Sequence, residues 1–206
     1  MEKLNINEIG KIDKVKDLFS DVKCKDEDSI YLVVLNRDYV PSSIDNARTL
    51  KNNSTVAGAK VGGVAGGLVG GAMANSFNSA VAQAVNEFES KLNDKQKIVF
   101  SRNVYCGYLV NVTTSGVGVI PLVNSGQLIP KIKDLITDAE NYVFFENDEI
   151  EKIEIQKLPL RRKTKKLAIY FKNTDKVCTP WTLPSKHKLV SYQEDNFKKL
   201  QAKLSK

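Results

Sequence analysis

Apolar positions along this chain follow two periods, and the change from one to the other divides it. In Lys11–Val22, Ile12, Val15, Leu18 and Phe19 recur at three and four, which predicts a short amphipathic helix. Ser29–Val40 is a β-branched and aromatic run stopped by Pro41, which predicts a strand. Phe77, Val81, Ala84, Val85, Phe88 and Leu92 return to helical spacing, with Asn78, Gln83, Glu87 and Lys91 turned outward. From Lys97 the period falls to that of strands. KIVFSRNVYCGYLVNV leads to a hairpin turn at Thr113–Gly116, and VGVIPLV runs to Asn124. Leu128–Asn141 mixes apolar and charged residues and reads as a loop or short helix. Tyr142–Phe145 and Ile150–Leu158 follow as strands. In the second, Ile153 and Ile155 face one way and Lys152, Glu154 and Gln156 the other. A basic turn at Arg161–Lys166 then leads to strands over Lys166–Asn173 and Val177–Leu183. Pro180 assigns the last of these to an edge or a bulge. Phe197, Leu200 and Leu204 form the stripe of a closing helix, with Glu194 and Asp195 in its first turn.

One stretch carries a pattern of its own. In Thr55–Ala74 the glycines fall on a four-residue grid. Gly58, Gly62, Gly66 and Gly70 make one helix ridge; Gly63, Gly67 and Gly71 make the next. Each glycine inside a helix costs about 1 kcal/mol relative to alanine, so an isolated helix here would not form. Bare ridges are useful where another backbone lies against them, because the axes can then approach closely. The expected partner is a second helix, from this chain or from a copy of it. The window is long enough to span a bilayer. Its large apolar residues contribute roughly −3 kcal/mol to insertion, and Lys60 returns about +3, so a single pass is near break-even.

Charge adds a second asymmetry. The chain of 206 residues has a net charge of +7. Glu151–Lys206 alone carries fifteen Lys or Arg against five Asp or Glu, and the remainder is slightly acidic. Such a basic third suits an anionic partner or a solvated face. The three cysteines, Cys24, Cys106 and Cys178, are scattered, and His187 is the single histidine. Neither a disulfide framework nor a zinc site is expected, and the expected location is the reducing cytosol. The opening residues lack the apolar core of a leader. No nucleophile elbow, HExxH or Walker loop is present, and the acidic group Glu146, Asp148, Glu149 and Glu151 fits a solvated turn. Catalytic residues, cofactors and metals are therefore not expected. Nor is nucleic acid, because the basic turn lacks interleaved aromatics. Cys178 and Trp181 read as core residues in a strand-like run.

FFENDEIEKIEIQK, a basic turn, KKLAIYFKNTDKVCTPW and the terminal NFKKLQAKL together resemble the bacterial pleckstrin-homology-like domains, including their GRAM-like branch. GYLVNVTTSGVGVIPL, at Gly107–Leu122, is similar to the strand–turn–strand unit of their first half. The resemblance covers roughly residues 97–206, with Ser29–Val40 as an earlier strand. It implies an α+β fold: a bent antiparallel barrel or sandwich capped by a C-terminal helix. Residues 1–28 would form an N-terminal arm with a short helix. Residues 29–206 would form the domain, interrupted after its first strand by a glycine-rich helix or hairpin at 54–93. It also implies a non-enzymatic binding module, to which the glycine grid adds assembly by close helix packing, with a second copy of the chain or another protein as partner. The alternative is a peripheral protein at the inner face of a membrane. It would grip anionic lipid through Arg161, Arg162, Lys163, Lys165 and Lys166, because arginine takes phosphate oxygens in pairs and lysines add charge.

Overall fold

The computed structural model describes residues 3–39, 87–124, 132–159, 161–174 and 177–205. The glycine grid, all seven of its glycines, and most of the helix expected over Phe77–Leu92 lie outside the described residues.

The order of elements is α1 (Ile6–Ile9), α2 (Ile12–Asp21), β1 (Ile30–Asn36), α3 (Asp94–Phe100), β2 (Gly107–Val112), β3 (Gly116–Asn124), β4 (Leu135–Thr137), β5 (Val143–Glu146), β6 (Ile150–Leu158), β7 (Arg161–Phe171), β8 (Trp181–Pro184) and α4 (Gln193–Leu204). The fold is α+β. Its eight strands form one antiparallel sheet in the order β4-β3-β2-β1-β8-β7-β6, and β5 also pairs with β3. The expected barrel does not close: among the described residues the only strand β6 pairs with is β7, and the only strand β4 and β5 pair with is β3, β4 being bridged on its other side to Asn5. The C-terminal helix supplies apolar cover for the curved face, and Phe197 and Leu200 sit in its core. That burial removes one driving force for closure.

Two cores lie on opposite faces of the sheet. The inner one gathers Leu32, Val34, Tyr108, Val110, Phe145, Phe171 and Trp181 with the stripe of α4. The outer one gathers Tyr31, Val33, Leu109 and Ile120 beneath Ile6, Ile9, Val15, Leu18 and Phe19 of the N-terminal helices. β1 is therefore covered on both sides, which explains a strand that is apolar almost throughout instead of alternating. In α2, Lys23 adopts a left-handed conformation just past the helix, with φ of 55°. Its N–H reaches Ser20 O and that of Cys24 reaches Phe19 O, the double bond pattern of a Schellman stop.

Three expectations change. Lys97–Phe100 is helical, not a strand: Asn93 and Gln96 cap each other's backbone N–H groups and start α3 at Asp94. The apolar run Ile98–Phe100 then packs as a helix face, with Val99 and Phe100 buried and Ile98 partly so. Arg161–Lys166 is not a turn but the opening of β7, paired back onto Leu158, Lys157 and Gln156. Pro180 precedes an interior strand, between β1 and β7, and the β7–β8 register runs unchanged from Leu167–Trp181 to Tyr170–Cys178. Residues 132–141 resolve into two 3-10 turns around the short strand β4.

β1 and β2 are direct antiparallel neighbours over six pairs, Ile30–Val112 to Leu35–Gly107, although residues 37–106 lie between them. Among the described residues no helix is long and apolar enough to cross a membrane.

Candidate functional surface

A shaped part of the described surface runs beside α4. Two adjoining cavities, of about 710 and 460 Å³, share Ile153 and Leu204. The larger is lined by apolar Ile30, Val112 and Ile153, whereas in the smaller Ile153 and Ile155 of β6 alternate with Glu154 and Gln156. Lys199 and Lys203 of α4 make one wall, and Glu27 and Asp28 of the loop before β1 the other. The helix is held at both ends. Near its start Gln193 bonds the backbone of Val33 and Pro184; near its end Lys203 Nζ donates to Thr113 O at 2.9 Å. Leu204, expected in the buried stripe, is instead 38% exposed at the groove. The sheet ends at β6, so one backbone edge of that strand has no strand neighbour among the described residues.

The basic segment reaches the surface in a different form from the expected loop. Lys163 is exposed and Lys165 half-buried. Lys165 stands directly across from Lys157, a like-charged pair on neighbouring strands. Among the described residues neither Lys157 nor Lys165 has an ion-pair partner. Lys166 is engaged elsewhere: its Nζ lies 2.9 Å from Cys178 Sγ. Cys178 is half-buried at the surface, whereas Trp181 is fully buried, so only one of these two expected core residues is in the core.

Glu149 and His187 are held in local contacts. Glu149 of the acidic turn accepts from the Glu146 N–H and from Lys95 Nζ. Burial raises its proton affinity, but these contacts outweigh that and hold its carboxyl below the usual range. His187 Nδ1 accepts the Leu189 N–H, and partial burial lowers its proton affinity. Among the described residues no three His, Cys, Asp or Glu gather as metal ligands would. The sequence did not single out Gln193, Asn196 or the Lys166–Cys178 contact. The two amides sit in a polar run that reads as helix surface, and the thiol contact spans two strands.

No family model, curated protein or solved structure matches this chain.

Proposed function

We propose that the protein is a non-enzymatic binding and assembly module of pleckstrin-homology-like type, in which the glycine-rich segment packs helix to helix against a second copy. One observation carries the reading. β1 and β2 pair as a hairpin would, yet the glycine grid lies in the chain between them. The segment therefore leaves and rejoins the sheet at one place, and it can serve an intermolecular contact without interrupting the ladder. The antiparallel sheet with a C-terminal helix on one face agrees with the coarse fold that the resemblance implies. The apolar groove beside α4 supports binding as the task of the module. The test is subunit association. Gly66→Leu places a side chain on the bare ridge and is expected to lower the particle mass in detergent-free buffer. Equal, monomeric masses for wild type and variant reject the reading.

A second reading rests on the Lys157–Lys165 pair. Like charges face each other there without an ion-pair partner among the described residues, and an anionic surface would relieve them. Co-sedimentation with vesicles decides it. Acidic vesicles should pellet more protein than neutral ones, and changing Arg161, Arg162, Lys163 and Lys165 to Glu should abolish the difference. Equal pelleting, or no loss in the variant, eliminates this reading.

A further inference from the structure

Three cysteines serve this chain in two ways. Cys24 and Cys106 are buried in the outer core, and burial raises the proton affinity of both thiols, that of Cys106 to about 11. Such thiols pack and stay inert. Cys178 differs in exposure and in company. It stands before β8, bridged to Tyr170, and is partly open to solvent. The ammonium of Lys166 comes to 2.9 Å from its sulfur. Among the described residues Lys166 makes no ion pair with a carboxylate, so its charge is directed at the thiol. A cation beside a partly exposed sulfur is the environment in which cysteines react.

We propose that Cys178 and Lys166 form a modification site at which a small peroxide oxidises the thiol to a sulfenic acid. The sulfur, having given its proton to solvent, attacks one peroxide oxygen. The S–O bond forms as the O–O bond breaks. The leaving hydroxide takes a proton from the Lys166 ammonium and departs as water, and Lys166 is reprotonated from solvent. Sulfur loses two electrons and the peroxide gains two, so the products are a sulfenic acid and water. Positive charge at Lys166 favours both the attacking sulfur and the leaving oxygen. The site is independent of self-association, which uses neither residue, and the contact with Cys178 takes the Lys166 ammonium away from the basic set of the lipid reading.

The experiment treats the full chain with hydrogen peroxide in the presence of dimedone and follows each cysteine by peptide mass spectrometry. Cys178 should take the adduct at least about tenfold faster than Cys24 or Cys106. It should also react faster in the folded protein than in urea, although folding partly covers it. Lys166→Met should slow it about threefold or more, and Lys166→Arg should restore much of the rate. Native Cys178 reacting no faster than the same thiol in urea overturns the proposal, and this comparison needs no variant. An unchanged rate in a folded Lys166→Met protein overturns it equally.

Discussion

Gln193 closes both backbone groups of Val33 with one side chain: its Oε1 accepts the Val33 N–H and its Nε2 donates to the Val33 carbonyl, each at 3.0 Å. The reason lies in the sheet. β1 pairs with β2 along its length but with β8 only at Leu35 and Asn36. The other edge of Tyr31–Val33 would be bare inside the protein. Helix α4 lies there and acts in place of a strand, with Asn196 Nδ2 serving the Tyr31 carbonyl at 2.9 Å.

Gln193→Leu therefore strands two buried backbone groups on β1. The side chain is wholly buried, so water cannot replace it. A loss of about 2–4 kcal/mol is expected, since each orphaned group costs about 1–3 kcal/mol. Urea unfolding followed by the fluorescence of the single tryptophan, Trp181, measures it. A loss below about 1 kcal/mol would contradict the substitution of amide for strand.

At Gly118, β3 passes close under the loop after α2. A Cβ on Gly118 would lie 2.5 Å from Cys24 Sγ and 3.3 Å from the rings of Phe19 and Tyr142. Gly118→Ala should cost about 1–3 kcal/mol through overpacking. Removing the sulfur should give part of this back, so Gly118→Ala and Cys24→Ala should be markedly non-additive in a double-mutant cycle. Additive losses would mean that the sulfur is not the obstacle.

The stop of α2 carries a residue that glycine would serve better. Lys23 is exposed and left-handed, with φ of 55°, where a Cβ meets the adjacent backbone. Lys23→Gly is expected to raise stability by about 0.5–1 kcal/mol, with the relieved strain exceeding the added chain entropy. A destabilised variant would show that the lysine side chain contributes contacts that the backbone argument omits.

Acid should loosen the join between the loop before β1 and the β2–β3 turn. Burial by itself would raise the proton affinity of Asp26, but the Thr114 N–H and hydroxyl, each at 2.7 Å, outweigh it. Ser29 and the charge of Lys203 add to this, and the carboxyl is held below its ordinary range. A depressed carboxyl contributes stability above its unfolded value, near 4, and that contribution is lost as pH falls through the folded value. Stability should decline on acidification from about pH 4, less steeply in Asp26→Asn. Identical pH slopes for the two proteins would contradict the assignment.

Much of this architecture is written in local patterns. Ile12, Val15, Leu18 and Phe19 mark α2, and the alternation of Ile153 and Ile155 with Lys152, Glu154 and Gln156 marks β6 at its observed bounds. Thr113 marks its turn through its hydroxyl, which both accepts from the Gly116 N–H and donates to the Gly116 carbonyl. The misread places have nonlocal or competing causes. Ile98–Phe100 has strand-like composition, and the capping pair Asn93 and Gln96 decides for helix. The charge of Arg161–Lys166 suggests a turn, yet the ladder to β6 and β8 claims it. Gln193 looks like any polar helix residue until β8 proves too short to cover β1. The like-charged pair Lys157–Lys165 and the contact of Lys166 with Cys178 appear only once three strands are aligned.

The account depends most on the glycine ridges between β1 and β2 meeting a second chain. Sedimentation velocity in detergent-free buffer tests this directly, on wild type and on Gly66→Leu at matched concentration, with Trp181 fluorescence confirming that both are folded. The wild type is expected to sediment as an oligomer whose population grows with concentration, and Gly66→Leu as a smaller species. Two folded proteins that both run as monomers across the same range would contradict it.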